Sequence, residues 1–285
     1  MNQIKNQQQS FSGADQYILD EELAKIVNIS MVLEMPLLLK GEPGTGKTML
    51  AHAIARSLNM PLIVLNVKSS MKLIEALYQY DTLTRLNDSR FGDSKRDVSN
   101  IEDYLRMGKI GQAFTAEKRT VLLIDEIDKA DTDFQDDMLD VLDQMQFDII
   151  ETDRTVSAVH RPVIIITSNA KKDLSDPFLG RCNFHHIAFP DPKMMRKIIG
   201  VHFPKINDNL AETAISTFYK LREVNSVEKR PATRELINWI RALQADPDFK
   251  PSSLTKGDIP YLGVLFKKSQ DYALVQAGVK RRGLF

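Results

Sequence analysis

Up to Phe189 the chain alternates short apolar runs with stretches whose apolar residues recur at helical spacing. That alternation predicts a parallel sheet covered by helices on both faces. Pro36-Leu37-Leu38-Leu39-Lys40 reads as a short buried strand, and Met49, Leu50, Ala53, Ile54 and Leu58 mark the helix that follows. Ahead of both, Ile18, Leu23, Ile26, Val27 and Val32 have roughly helical spacing, with Asp20, Glu21, Glu22 and Lys25 for the wet side. Asn59 and Pro61 end a helix, and residues 62–67 then read as a second strand. Further buried strands are expected at residues 121–125 and 162–169, and a last one at 185–189. Phe134, Met138, Val141, Leu142 and Met145 form the stripe of another helix, whose other side carries Asp133, Asp136, Asp137, Asp140 and Asp143. With no His or Cys among them, these acids read as a solvated face or a subunit contact rather than a metal site.

The pattern breaks in four places. Residues 1–10, rich in Asn and Gln, have almost nothing to bury, so 1–15 is expected to be a flexible tail. Between Lys68 and Tyr104, Met71, Ile74, Leu77 and Tyr78 suggest a helix, but residues 87–100 are polar and mixed in charge, which predicts a mobile insertion over about 72–100. Residues 147–152 and 155–160 alternate around Asp153-Arg154 and predict a hairpin over about 147–160. Beyond Pro190 and Pro192 no comparable strand run follows. The expectation is an α/β domain over 16–190 and an all-α domain over 191–285, whose clearest helix spans 235–243, with Thr233 as N-cap and Pro231 just upstream.

Chemistry enters at Gly41-Glu42-Pro43-Gly44-Thr45-Gly46-Lys47-Thr48, which fits G-x-x-x-x-G-K-[ST] between a predicted strand and a predicted helix. In such a P-loop the glycines let backbone N–H groups wrap a phosphate, and the helix start adds the positive end of its dipole. Lys47 is placed to reach the β- and γ-phosphates, and the Thr48 hydroxyl to ligate Mg²⁺. The fold class is therefore a P-loop NTPase, a doubly wound parallel sheet followed by a small helical domain. In such sheets ligands sit at the carboxyl ends of the strands, where Asp125, Glu126 and Asn169 also fall. Asp125 is positioned to hold Mg²⁺ through water, Glu126 to act as the base for the attacking water, and Asn169 to hold that water from the other side. No Asn-Lys-x-Asp sequence marks guanine, so the expected cofactors are ATP and Mg²⁺.

Charge narrows the partners. With 38 basic and 38 acidic residues, no global positive field draws in nucleic acid or an anionic membrane, so no nucleic acid is expected. One cysteine, Cys182, with no leader or long apolar segment in the sequence, fits a cytoplasmic protein without a membrane span. Cys182 reads as a small buried hydrophobe, His185 and His186 as residues on opposite faces of a strand, and Lys280-Arg281-Arg282 as a solvated end.

These residues resemble the AAA+ ATPases, and within them the MoxR type, from about Tyr17 onward. The match rests on the P-loop, on Leu122-Leu123-Ile124-Asp125-Glu126-Ile127-Asp128-Lys129-Ala130, on Thr167-Ser168-Asn169, on Pro177-Phe178-Leu179-Gly180-Arg181-Cys182, and on Lys229-Arg230-Pro231-Ala232-Thr233-Arg234-Glu235-Leu236. The resemblance implies that the strand at 62–67 lies outside the P-loop and 121–125 strands in the sheet. It also implies that Glu126 is the catalytic base, Asn169 sensor 1, and Arg181 an arginine finger reaching the neighbouring subunit's γ-phosphate. Gly180 stands where the family commonly has a second basic residue. Arg234 matches sensor 2, with Arg230 its rival, and Tyr17, Ile18 and Met49 join the P-loop as nucleotide-binding positions. The resemblance further implies a homo-oligomeric, hexameric ring in which the 72–100 insertion, in helix 2, and the 147–160 hairpin face the centre. That ring would remodel a protein client, often beside a partner carrying a von Willebrand factor A domain. The rival readings are a nucleotide-dependent switch or scaffold with slow turnover, and a DNA-remodelling or restriction-associated motor.

Overall fold

The computed structural model describes residues 10–14, 17–92, 96–169, 172–255 and 258–282. Its strands are β1 (Leu37–Lys40), β2 (Leu62–Asn66), β3 (Tyr78–Tyr80), β4 (Leu105–Met107), β5 (Val121–Asp125), β6 (Gln146–Ile149), β7 (Arg154–Ser157), β8 (Val163–Ser168) and β9 (Asn183–His186). Helices in the first part are α1 (Glu21–Leu33), α2 (Lys47–Ser57), α3 (Leu73–Leu77), α4 (Thr82–Phe91), α5 (Lys109–Phe114), α6 (Thr132–Gln144) and α7 (Asp176–Gly180). They are followed by α8 (Pro192–His202), α9 (Asp208–Arg222), α10 (Thr233–Ala245), α11 (Ser252–Thr255), α12 (Leu262–Leu265) and α13 (Ser269–Arg282). The described chain divides into two compact units, one running up to Gly41 and over Gly46–Ile187, the other made of Glu42–Thr45 and Ala188–Phe285.

In the first unit five strands form one sheet in the order β2-β5-β8-β1-β9, and every pairing is parallel. β8 thus separates β1 from β5, and β2 stands outside both, as the family resemblance implies. The central strands are apolar on both faces because helices cover both. Leu38, Leu122, Ile124 and Ile166 pack with Phe134 and Met138 on one side, while Leu37, Leu39, Leu123 and Ile165 pack with Leu23, Val27, Leu50 and Ile54 on the other.

Several expectations shift. The tail is anchored well before residue 15, since Phe11 is 1% exposed and exchanges two hydrogen bonds with the Asn28 side chain. Residues 1–9, 15 and 16 lie outside the described residues. α1 begins after Asp20, whose carboxylate accepts from the Glu22 N–H, so Ile18 is not in it. Val32, expected on its buried stripe, is 56% exposed. β9 runs over Asn183–His186 rather than 185–189, because it pairs with β1 from Leu37↔Asn183 onward. Within it Asn183 and His185 are half-buried and Phe184 and His186 exposed, so the two histidines do face opposite ways.

The insertion is a built element where it is described. β3 and β4 pair antiparallel, and between them α4 is capped by Asp81 at its start and by Gly92 at its end, so residues 87–91 are helical. Residues 93–95 lie outside the described residues. α3 and α5 flank this module, and Gly111 lets them approach: a Cβ there would stand 2.2 Å from the Leu77 carbonyl oxygen. Gly111→Ala is therefore expected to destabilise the protein by about 1–3 kcal/mol through overpacking. Thermal melting checks this, and an unchanged midpoint would contradict the close approach. The hairpin pairs Phe147 with Val156, but its strands are short and a 3-10 turn over Ile150–Thr152 replaces the expected two-residue loop.

The second unit is helical in its described residues. Trp239, fully buried, donates its indole N–H to the Pro260 carbonyl at 2.8 Å, and packs in a core with Phe218, Leu221, Leu236 and Ile240. α10 is capped by Ala232, not Thr233: the Glu235 carboxylate accepts from the Ala232 N–H at 3.1 Å, and Thr233 is buried in the first turn. The side chains of Lys280-Arg281-Arg282 lie outside the described residues.

Candidate functional site

The P-loop leaves the carboxyl end of β1 and enters α2, the place where an open α/β sheet binds ligands. Gly44 and Gly46 hold φ of 82° and 93°, a left-handed backbone that glycine adopts without a Cβ clash. Gly46 is the N-cap of α2, so the N–H groups at Lys47 and Thr48 have no carbonyl of their own helix to bond and form an anion-binding end. Lys47 is buried, and its Nζ donates to the Gly41 carbonyl at 2.8 Å. At the loop's tip the Thr45 hydroxyl donates to the Glu42 carbonyl at 3.0 Å. The Tyr17 ring covers Gly46, where a Cβ would come within 3.4 Å of Tyr17 Cε2, and burial holds the Tyr17 hydroxyl well above the usual tyrosine pKa. Ile18 is half-buried at the next position, and Met49 is largely exposed on α2.

At the end of β5 the acids meet the loop. Thr48 Oγ1 donates to Asp125 Oδ1 at 3.0 Å, and Thr167 Oγ1 donates to the same oxygen at 2.6 Å. Glu126 turns the chain out of the strand with φ 59°, a left-handed conformation that a non-glycine residue keeps only where its surroundings fix it. Here its N–H donates to Thr167 Oγ1 at 2.9 Å. Its carboxylate is held on both oxygens, by Asn169 Nδ2 at 2.8 Å on Oε1 and by the Lys129 ammonium on Oε2. Hydrogen bonding to Glu126 and its charge raise the Lys129 pKa, so this ammonium stays protonated. The Asn169 backbone N–H donates to Asp128 Oδ1 at 3.2 Å, which ties the ends of β5 and β8 together a second time. Lys47, Thr48, Asp125, Glu126 and Asn169 thus sit on three neighbouring strand ends.

Arg181 stands apart from this cluster. It ends α7, and its guanidinium bonds to Asp143 Oδ2 at 2.6 Å and to the Pro177 carbonyl at 3.3 Å. One acid of the exposed α6 face therefore has a cationic partner. Beside it Cys182 is buried, and burial first, then the Asp143 charge, pushes its thiol pKa up to about 12, so it is no nucleophile at neutral pH. In the second unit Arg234 is exposed in the first turn of α10, and Arg230 is exposed ahead of it.

Residues 37–190, more than half of the chain, match the model of the ATPase family associated with various cellular activities (AAA). The chain belongs to the AAA ATPase family. Among solved structures it is similar to NtrX from Brucella abortus in complex with ADP, with a TM-score of 0.53 and 16% identity over 94% of this chain. The chain spans 62% of the length of that NtrX chain, and at this identity the likeness speaks for the fold. A search of curated proteins finds no match. That family is one of ATPases. No described helix is long and apolar enough to cross a membrane.

Sequence reasoning assigns no role to three residues that bond within this cluster: Thr167, Asp128 and Lys129. Lys129 had a signal, since a Lys three residues after a Glu on a helical turn reaches its carboxylate. In the second unit, Arg222 is buried at the end of α9. Its guanidinium lies 3.5 Å over the Phe189 ring centroid, donates to Glu42 Oε2 at 2.7 Å, and bonds the Pro231 carbonyl.

Proposed function

We propose that the chain is a cytoplasmic MoxR-type AAA+ ATPase that hydrolyses ATP to ADP and phosphate, assembles into a hexameric ring, and uses turnover to remodel a partner protein. The observation that carries hydrolysis is the division of labour at the end of β5. Asp125 is bonded to the P-loop through Thr48, while Glu126 turns away into the grip of Asn169 and Lys129. In this reading Lys47 and the α2 N–H groups bind the phosphates, and Glu126 takes a proton from the attacking water that Asn169 orients. Tyr17, Ile18 and Met49 are further nucleotide-binding positions in this reading. The Thr48 hydroxyl and the Asp125 carboxylate are adjacent hard oxygen donors, a set that suits Mg²⁺. When bound, that ion neutralises charge on the β- and γ-phosphates.

The MoxR assignment is supported by two elements. The β3-α4-β4 module lies between α3 and α5 in the chain, and the β6-β7 hairpin comes directly before β8. Both match the places where that family carries its insertion and its pre-sensor hairpin, the surfaces assigned to the client or to a von Willebrand factor A domain partner. Arg181 acts in trans on the next subunit's γ-phosphate, and Arg234, with Arg230 as the other candidate, senses the γ-phosphate of its own subunit.

The test is a nucleotide titration. Lys47→Ala is expected to weaken binding of a fluorescent ATP analogue by about 100-fold, because it removes a charge-assisted hydrogen bond to phosphate from a buried site. A variant that binds as tightly as the unaltered protein would contradict the P-loop reading.

A further inference from the structure

Among the described residues, the hydroxyl of Thr167 is the group that bonds both to the side chain of Asp125 and to the backbone of Glu126. It donates its hydrogen to Asp125 Oδ1 at 2.6 Å and accepts the Glu126 N–H at 2.9 Å. A hydroxyl has one donor and two lone pairs, so one side chain supplies both bonds at once. Thr167 is 1% exposed, so water does not stand in for it. Its place follows from the sheet: β5 and β8 are parallel neighbours in register from Val121↔Val163 to Ile124↔Ile166, which sets the next pair, Asp125 and Thr167, side by side.

We infer that Thr167 is a positioning residue of the ATPase site, setting the Asp125 carboxylate for its place beside Thr48 and holding the strained Glu126 backbone so that its side chain points to Asn169. This rests on the roles proposed above for Asp125 and Glu126. Without the hydroxyl, Asp125 Oδ1 keeps, among the described residues, the Thr48 donor and loses the shorter of its two hydroxyl bonds. The Glu126 N–H loses its acceptor, and with it the bond that fixes φ at 59°. Partners of this kind, one step behind the groups that meet substrate or metal, change affinity or rate by about 10–100-fold when removed.

Thr167→Val keeps the shape and removes both bonds, and Thr167→Ser keeps both bonds and removes a methyl group. Two readouts are taken with thermal melting as the check on folding: kcat and KM for ATP, and the Mg²⁺ concentration at half-maximal binding of a fluorescent ATP analogue. Thr167→Val is expected to lose about 10–100-fold in kcat with a small change in KM, and to need several-fold more Mg²⁺, while Thr167→Ser recovers most of both. If Thr167→Val does not fold, Thr167→Ala takes its place with the same expectation. Glu126→Gln is run in parallel. If Glu126→Gln is inactive while Thr167→Val matches the unaltered protein in both readouts, the role of Thr167 is wrong and the hydrolysis reading stands. Equal losses in the Val and Ser variants would also overturn it, because packing rather than the hydroxyl would then matter. If Glu126→Gln itself turns over ATP at the normal rate, the hydrolysis reading fails first and the inference about Thr167 falls with it.

Discussion

Glu126→Gln is expected to reduce ATP turnover by about 100-fold or more while nucleotide remains bound, the range over which a positioned general base accelerates proton transfer. Glutamine has the same length and keeps an oxygen for the Asn169 amide, so the geometry around β8 survives. What it lacks is a basic lone pair for the proton of the attacking water. The Lys129 ion pair disappears as well, but both of its side chains are over a third exposed, so stability should change little. Single-turnover hydrolysis beside a binding titration separates the two effects. A variant that binds and hydrolyses at the normal rate would remove Glu126 from the mechanism.

Arg181→Ala is expected to lower turnover by about a thousand-fold or more, the scale on which an arginine finger stabilises the charge of a phosphoryl-transfer transition state. The physical reason for assigning so large an effect to a residue outside the Glu126 cluster is its present engagement. Its guanidinium is bonded to Asp143 and Pro177 of its own subunit, and that pair is 41% and 47% exposed, so Asp143 holds it weakly. Exposed pairs of this kind contribute about 0–1 kcal/mol, which leaves the arginine available to a stronger anionic partner such as a neighbouring γ-phosphate. Melting should therefore barely move, and a steady-state ATPase assay carries the result. Normal turnover would make Arg181 a surface residue.

The parts of the fold that could be read from sequence are those whose residues are buried in bulk. β1, β5 and β8 are unbroken apolar runs because both faces of the central sheet are covered, and the P-loop and Asp125-Glu126 follow directly from them. The elements that shifted lack that signal. β3 and β4 are three residues each, too short to show alternation, and α4 buries none of its residues, so it has no apolar stripe to find. Its ends were nevertheless marked, by Asp81 and Gly92. Ile187-Ala188-Phe189 looked like strand residues because they are apolar, yet Phe189 belongs to the second unit, where it packs on Phe218, Tyr219 and Arg222. Ala232 has no side-chain oxygen, so the rule that favours Thr as an N-cap pointed one residue too far along.

At the site the same division holds. Residues recognised by a contiguous motif, Lys47, Thr48, Asp125 and Glu126, could be named from the sequence, and the structure brings them together with Asn169. Thr167 and Asp128 could be quoted but not given work, because their bonds span 42 and 41 positions and depend on strand register that no periodicity reveals. Asp143 was one of five similar acids, and only the placement of α7 against α6 distinguishes it.

Catalysis shared between subunits can be read from a mixing experiment. ATPase activity is measured against protein concentration for the unaltered chain, for Arg181→Ala, for Lys47→Ala, and for the two variants combined. Expected are activity per subunit that rises with concentration, two inactive variants, and activity recovered on mixing, since an intact Lys47 site can then meet an intact Arg181 from its neighbour. Flat specific activity with Arg181→Ala hydrolysing normally would contradict it and leave a nucleotide switch or scaffold as the better description.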